Sequence, residues 1–254
     1  MIVSWYRQKI SDFGFWPATR TLVRIAWCRA WVVASNALLP KRIECPCCGW
    51  QGRRLFDYVE IGYTAKNVSC PRCDSHPRHR AFFLWLRDQY HIDQRTGTAL
   101  IFAPERALKQ IWETATQLEV FRTDIEPSRG VDVIGDLMQL PFVAEFAGLV
   151  WCHHVLEQVR DDRVALGELR RILRSATGEL IISVAEDAGS PTREFGFSDK
   201  AVSGNRRAYG SDFPEKLRAA GFTVQRVNCD LSEAARRKYA LTDEWFYLCR
   251  KEPG

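Results

Sequence analysis

The sequence lacks an uninterrupted apolar segment long enough to cross a membrane. Its most apolar run, residues 22–39, contains Arg24 and Arg29, and each arginine costs about 2.5–3.5 kcal/mol at the centre of a bilayer. The run also has no convincing cleavage site, so we expect neither a transmembrane span nor export by a signal peptide. Internal repeats and low-complexity tracts are absent as well, which excludes a repeat array.

The glycine motif G-x-G-x-x-G is also missing. A nicotinamide-dependent dehydrogenase would carry it after the first strand of its nucleotide-binding sheet, so that class of enzyme is not favoured. The composition, 46% hydrophobic and 26% charged, is ordinary for a soluble globular protein and does not predict disorder. The 254 residues suffice for one sizeable core and a smaller module.

Positive charge is concentrated at the N-terminal end. Residues 1–42 hold seven Lys/Arg against one Asp, and residues 43–95 hold eight against six acidic residues. Since the formal net charge is only +5, residues 96–254 are slightly acidic. A polyanion or an anionic membrane surface would therefore meet the N-terminal end first.

Residues 1–42 form a basic segment that is rich in tryptophan and phenylalanine. The pattern predicts a helix over residues 19–39, ended by Pro40. Apolar and basic residues lie roughly on opposite faces of this amphipathic helix. Two interpretations stay open: the helix lies on a membrane surface, where it makes peripheral contact, or it packs on the protein's own core or a dimer partner.

Five of the nine cysteines fall between residues 45 and 73. Two C-x-x-C pairs, separated by 21 residues, consist of Cys45 with Cys48 and of Cys70 with Cys73. Such pairs place four sulfurs tetrahedrally around Zn²⁺ with no open position, which predicts a structural metal site in a reducing, cytoplasmic setting. Cys47 could replace a neighbour, but C-x-C is the less usual geometry.

Two histidines follow the second cysteine pair. His76 and His79 could also bind the metal, yet four thiolates already complete a structural site. We expect them instead, with Arg78 and Arg80, at the start of a helix over residues 80–89. There they would contact phosphate, substrate or only a neighbouring domain. The cysteine pairs and this helix define residues 43–95 as a zinc ribbon with a linker helix.

An α/β domain is predicted over residues 96–254, and polar residues follow three of its strands. Asp124 comes after an apolar pair, Asp136 after residues 131–134, and residues 152–154 after the strand 149–151. Ligands bind at the carboxyl ends of the strands in open parallel sheets. Asp124 could accept hydrogen bonds from a ribose, and Asp136 with Leu137 could frame an adenine. Both aspartates could equally be turn formers.

The remainder of the domain alternates helices and strands. We predict a first strand at residues 99–102, helices over 105–117, 162–174 and 212–220, and further strands at 179–184, 222–228 and 245–250. Asp161 or Asp162 would cap the second helix, and Ser211 the third. The polar connection over residues 185–210 is too long for a routine loop and is a candidate substrate lid.

The order of these parts resembles the class I S-adenosylmethionine-dependent methyltransferases, and more narrowly the type 11 methyltransferase group with an N-terminal zinc ribbon. The resemblance covers residues 43–254 and rests on the segments CPCCG, CPRCDSHPRHR, IFAPE, RTDIEPSRGVDVIGDLMQLPF, WCHHVLEQVRDDRVALGELRRIL and AYGSDFPEKLRAAGF. It implies a Rossmann-like, seven-stranded sheet with its last strand antiparallel. A small zinc ribbon and an N-terminal amphipathic helix precede this sheet.

The resemblance also implies a site. It places His154 and Glu157 near the substrate. His154 is the candidate general base because it lies on the ligand-binding edge of the sheet, and the alternative is that it bonds the backbone and only shapes the turn. Glu157 would orient His154 or cap the following segment. The residues implied to bind S-adenosylmethionine are Phe102, Ala103, Glu105, Asp124, Ile125, Asp136, Leu137, Cys152 and His153. Two departures stand out: residues 103–105 replace the usual glycine-rich first turn, and Gln158 stands where relatives commonly have histidine.

The implied function is methyl transfer to an unidentified acceptor, for which a small molecule or a glycan hydroxyl is favoured. One alternative is a non-catalytic methyltransferase-fold scaffold behind the zinc ribbon. Another is an RNA methyltransferase, which predicts binding that weakens steeply with salt. The modest net charge makes nucleic acid the less favoured partner. The expected location is the cytoplasm. Peripheral contact with the inner face of the membrane through residues 1–40 is the further possibility.

Overall fold

The computed structural model describes residues 2–127, 130–199 and 204–252. Its helices are α1 Ile2–Phe13, α2 Phe15–Leu38, α3 Pro77–Asp88, α4 Lys109–Thr114, α5 Asp162–Ile172, α6 Phe213–Ala219 and α7 Glu233–Tyr239. Its strands are β1 Ile43–Glu44, β2 Gln51–Gly52, β3 Phe56–Glu60, β4 Tyr63–Ser69, β5 Gly97–Phe102, β6 Leu118–Asp124, β7 Val133–Ile134, β8 Leu149–His153, β9 Glu179–Ser183, β10 Glu186–Asp187, β11 Arg193–Asp199, β12 Asn205–Gly210, β13 Phe222–Asn228 and β14 Trp245–Lys251.

The chain divides into two compact units. The N-terminal unit contains Met1–Gln89 and Asp230–Thr242, and the α/β unit contains Tyr90–Cys229 and Asp243–Gly254. Helix α7, which the sequence analysis did not predict, therefore belongs with the N-terminal unit although it lies between two strands of the α/β unit. The three-part division at residues 42 and 95 stays a prediction.

The α/β unit is built on a seven-stranded sheet in the order β13-β14-β9-β8-β5-β6-β7. Strands β5 to β9 run parallel to their neighbours, whereas β14 is antiparallel to both β9 and β13. The predicted Rossmann-like sheet with an antiparallel last strand is thus confirmed. Every residue of β8 and β9 is buried, as expected for central parallel strands covered on both faces.

Two local predictions in this unit were wrong. The helix predicted over residues 105–117 is a short 3₁₀ turn, Arg106–Leu108, followed by α4. It ends early because the Thr114 hydroxyl donates to the carbonyl of Ile111, which competes with regular helical hydrogen bonding. Ser211 does not cap α6, whose N-cap is Asp212. The carboxylate of Asp212 instead accepts a hydrogen bond from the backbone of Thr192 at 2.6 Å.

The connection over residues 185–210 is more ordered than the sequence indicated. It contains a three-stranded sheet in which β12 pairs in parallel with β10 and antiparallel with β11. Residues 200–203 of this connection lie outside the described residues. The role of the connection as a substrate lid stays a prediction.

In the N-terminal unit, α2 begins at Phe15, four residues before the predicted start. One side of this helix is fixed to the unit, because Ala18, Val32 and Ser35 are buried. The Asn36 amide oxygen also accepts hydrogen bonds from the backbone of Arg53 at 2.7 Å and of Arg54 at 2.9 Å. Among the described residues, none of the helices is long and apolar enough to span a bilayer.

Candidate cofactor cleft and cysteine cluster

The four predicted cysteine ligands meet in the N-terminal unit. Their sulfur atoms all lie within 4.8 Å of one another, with 3.7 Å between Cys45 and Cys73 and 3.7 Å between Cys48 and Cys70. Four thiols this close are a donor set that suits a tetrahedral Zn²⁺ ion.

The two cysteine pairs adopt the same backbone turn. The amide of Gly49 donates to the carbonyl of Cys45 at 2.8 Å, and the amide of Asp74 donates to the carbonyl of Cys70 at 2.9 Å. Both Gly49 and Asp74 are left-handed, with φ of 67° and 60°. Glycine adopts this region freely, and aspartate tolerates it better than most residues. The sequence indicated the turn at Gly49, whereas its counterpart at Asp74 went unnoticed.

The neighbouring Cys47 and the two histidines have other contacts. The Cys47 sulfur is buried and lies 3.8 Å from the carbonyl oxygen of His79. The His79 ring accepts a hydrogen bond from the backbone of His76 at 3.1 Å, and the His76 ring lies 3.1 Å from the Ser69 hydroxyl. These contacts close the first turn of α3, which begins at Pro77 and therefore three residues before the predicted start.

Arg80 was a candidate for contact with phosphate or substrate, and the structure contradicts that role. Its side chain is fully buried. The guanidinium donates to the carbonyl oxygens of Val68, Ser75, Tyr239 and Ala240 at 2.6–2.9 Å. All four carbonyls belong to the N-terminal unit, so Arg80 ties α7 to the ribbon.

A cleft of about 380 Å³ opens at the carboxyl ends of β5, β6, β7 and β8. Seven of the predicted site residues line it: Phe102, Ala103, Asp124, Ile125, Asp136, Leu137 and His154. The cleft is also lined by residues that the sequence analysis did not assign to it: Thr123, Glu126, Gly135, Met138, Val155, Gln158, Val159, Arg160 and Arg206. The edge of the sheet predicted from strand ends is thus where the cleft lies.

Asp124 and Asp136 both form local turns while facing this cleft. One carboxylate oxygen of Asp124 accepts from the backbone of Glu126 at 2.9 Å, and one of Asp136 accepts from Met138 at 2.9 Å. The turn-forming interpretation therefore holds for both residues. It does not exclude ligand binding, since an ionised carboxylate has two oxygens and about four acceptor positions.

The first turn keeps the backbone conformation of a glycine without containing one. Ala103 has φ of 46°, and its amide donates to the carbonyl of Thr123 at 2.9 Å. Because the side chain of Ala103 is a single methyl group, it adds little bulk to the lining of the cleft. Glu105 follows as the N-cap of a 3₁₀ turn. Its carboxylate lies 3.6 Å from His153 Nε2.

The end of β8 differs from the prediction. The strand continues through Cys152 and His153, so the polar turn begins at His154. Cys152 is fully buried in the hydrophobic core, and this burial raises the pKa of its thiol. His153 is also buried and its ring is hydrogen-bonded to the Ser183 hydroxyl. Neither Cys152 nor His153 is among the described residues that line the cleft.

His154 and Glu157 are in direct contact. His154 Nδ1 lies 2.8 Å from Glu157 Oε1, which also accepts from the backbone of Ala185 at 2.7 Å. Glu157 is 1% exposed and does not reach the cleft surface, whereas the His154 side chain is 32% exposed. The backbone of His154 is left-handed, with φ of 51°.

The loop that holds this pair is fixed by Arg207 of β12. Its buried guanidinium donates to the carbonyls of Leu156 at 2.9 Å, Val159 at 2.8 Å and Arg160 at 3.1 Å. The Arg207 Nε donates to Glu194 at 2.9 Å. A buried arginine that lost these partners would strongly destabilise the fold. Through Arg207, the 185–210 connection therefore helps to hold the loop that lines the cleft.

Part of the α/β unit is similar to known proteins. Residues 103–182 match the family model described as Methyltransferase domain. No curated protein matches the chain.

Several solved structures are similar in fold. A S-adenosylmethionine-dependent methyltransferase from Thermotoga maritima, described as a possible histamine N-methyltransferase, is 17% identical, with 68% of this chain and 90% of that chain covered and a TM-score of 0.44. The YcgJ protein from Bacillus subtilis is 14% identical, with 68% and 99% covered and a TM-score of 0.43. The [4+2]-cyclase SpnF is 16% identical, with 66% and 82% covered and a TM-score of 0.46.

The match lies wholly within the α/β unit and runs from the first turn into β9. Residues 103–182 therefore match a methyltransferase domain, and the chain is an S-adenosylmethionine-dependent methyltransferase.

Proposed function

We propose that the protein transfers the methyl group of S-adenosylmethionine to a hydroxyl of a small molecule or a glycan, with His154 as the general base. The observation that carries this proposal is that Asp124, Asp136 and His154 line one cleft. The two carboxylates would bind the adenosine, and the imidazole would face the acceptor.

The residues around the cleft fit the cofactor. Asp124 and Asp136 follow adjacent parallel strands, which is the arrangement that can bind a ribose and an adenine side by side. Leu137 would cover one face of the adenine. Phe102, Ala103 and Ile125 would line the site, and Glu105 would act near the methionine end. Cys152 and His153 could contribute only through the backbone, because their side chains are buried.

The sulfonium of the cofactor supplies an activated methyl group, so the chain must mainly align the acceptor and accept its proton. An ionised carboxylate only accepts hydrogen bonds, so Glu157 requires a proton on His154 Nδ1. This contact favours the tautomer in which Nε2 is the proton acceptor. Glu157 would thus act as a positioning residue.

The Asp124→Asn variant distinguishes the role of Asp124 in cofactor binding from its role in forming the turn. Asp124→Asn keeps an oxygen for the Glu126 amide but removes one charged acceptor, and hydrogen bonds to charged groups contribute about 1.5–3 kcal/mol. We expect S-adenosylmethionine to bind about 10- to 100-fold more weakly in calorimetry. Asp132→Asn is the matched control. The Asp132 carboxylate directly precedes β7, accepts a hydrogen bond from Arg122 of β6 at 2.8 Å and does not line the cleft.

Unchanged affinity in Asp124→Asn would contradict the ribose assignment. If the wild-type chain bound neither S-adenosylmethionine nor S-adenosylhomocysteine, the non-catalytic scaffold would become the leading interpretation. Binding by the wild type and by Asp132→Asn, together with weakened binding by Asp124→Asn, would support the proposal.

The class of acceptor can be tested with a labelled methyl group. The α/β unit offers a compact cleft of about 380 Å³, and residues 96–254 lack a basic excess, which favours a small acceptor over RNA. We expect label from S-adenosylmethionine to enter a nuclease-resistant fraction of a cell extract that contains small molecules and glycans. Label that ribonuclease releases, with binding that weakens steeply with salt, would establish the RNA alternative instead.

We further propose that Cys45, Cys48, Cys70 and Cys73 bind one structural Zn²⁺. The proposal rests on the four sulfurs within 4.8 Å of one another and on the two identical backbone turns that carry them. A site with four sulfur ligands has no open position for a substrate, so the metal would stabilise the ribbon and take no part in methyl transfer.

A further inference from the structure

One face of α2 presents large apolar side chains to solvent. This tryptophan face comprises Trp16, Val23, Trp27, Trp31 and Leu38, which are 70%, 52%, 75%, 64% and 82% exposed. Their spacing of seven, four, four and seven residues puts them in a single stripe along the helix. Ala18 and Val32, which are buried in the N-terminal unit, lie on a different side of the helix, and the buried Ser35 borders the stripe. Packing on the unit's own core therefore accounts for one side of this helix only.

Basic side chains lie beside the tryptophan face. Helix α2 contains Arg20, Arg24 and Arg29 and no acidic residue. Arg20 and Arg24 line an open pocket beside Trp16. Glu60 also lines this pocket, but its carboxylate is 2.7 Å from the Lys9 ammonium, which offsets its charge.

We propose that the tryptophan face of α2 docks on the surface of an anionic phospholipid bilayer. Tryptophan is enriched at the level of lipid headgroups because its ring is apolar and its N–H is polar. Arg20 and Arg24 are placed to bind lipid phosphates, which arginine recognises with two parallel hydrogen bonds. The helix would lie in the plane of the interface, with its buried side still packed on the N-terminal unit.

Charge also favours a bilayer over a second copy of the chain. Two α2 helices packed through this face would bring Arg20 and Arg24 of both copies to the contact, and α2 has no acidic residue to pair with them. Like charges held close together without partners oppose association. An anionic lipid surface supplies the missing negative charge. This docking is independent of methyl transfer and of the cofactor.

The test is flotation of the full-length, zinc-loaded protein with vesicles, without S-adenosylmethionine. We expect binding to vesicles of phosphatidylcholine mixed with phosphatidylglycerol, and at least about tenfold weaker binding to phosphatidylcholine alone. Replacing Trp27 and Trp31 together with serine should abolish binding. Trp245→Ser is the matched control, since Trp245 is an exposed tryptophan of β14.

A second variant tests the electrostatic part of the proposal. Arg20→Gln combined with Arg24→Gln should weaken binding to the anionic vesicles and reduce its dependence on salt. All four substituted residues are exposed, and an unchanged thermal midpoint would verify that the variants fold. Equal recovery of wild type and Trp27/Trp31 variant in the unbound fraction would overturn the proposal. So would a wild-type dimer in sedimentation equilibrium that the Trp27/Trp31 variant dissociates.

Discussion

Cys70→Ser is expected to abolish zinc binding and to unfold the N-terminal unit. Cys70 is one of the four clustered thiols, and a serine hydroxyl is a poor ligand for Zn²⁺. Structural zinc contributes about 10–16 kcal/mol of binding free energy in zinc-finger peptides. The ribbon strands β1 to β4 span two to seven residues, and such short strands have little stability of their own. Metal analysis and limited proteolysis would measure the loss.

Cys47→Ser is the matched control for this experiment. Cys47 lies between two of the proposed ligands and is equally buried, but its sulfur does not belong to the cluster of four. The Cys47→Ser variant should retain one zinc per chain and resist proteolysis. The assigned ligand set would be contradicted if the Cys70→Ser variant kept a full equivalent of zinc or if the Cys47→Ser variant lost it.

Since the α/β unit has its own hydrophobic core, we expect it to stay folded when the metal is removed.

The strands of the α/β unit were predictable where a glycine or a polar turn residue marks the end of a short strand pattern. Strand β13 matches its prediction at residues 222–228, and β9 and β14 differ from theirs by one residue at one end. Glycine precedes both β9 and β13. The interior of β9 is apolar, whereas Phe222 and Val224 of β13 alternate with polar residues, and both patterns are typical of strands. Strands β10 to β12 were missed because most of their residues are polar or glycine, a composition that sequence alone does not distinguish from a loop.

The candidate site was predictable up to the sheet edge and no further. Asp124 and Asp136 follow apolar strands, so their placement depends on local sequence and one topological rule. Arg206 and Arg207 lie roughly fifty residues beyond His154, and only the pairing of β12 within its own small sheet brings them to the 154–160 loop. No local pattern signals a contact at that separation. The burial of Cys152 was missed for a different reason, because β8 continues two residues past its last strongly apolar residue.

The largest kinetic effect is expected from His154→Gln. Glutamine can still donate a hydrogen bond towards Glu157, but its amide does not accept a proton from a hydroxyl acceptor. General base catalysis contributes about 10²- to 10⁴-fold, so we expect turnover to fall by that factor while S-adenosylmethionine affinity stays within about twofold of wild type. Transfer of labelled methyl to the acceptor fraction would measure turnover, and calorimetry would measure affinity.

Glu157 and Gln158 provide the comparison that distinguishes a base from a turn former. Glu157→Gln can donate to Nδ1 instead of accepting from it, which favours the wrong tautomer of His154 and should also slow transfer. Gln158→Ala changes a neighbouring residue of the same cleft and should leave turnover nearly unchanged. If His154→Gln kept full turnover, His154 would only shape the turn and would not be the base.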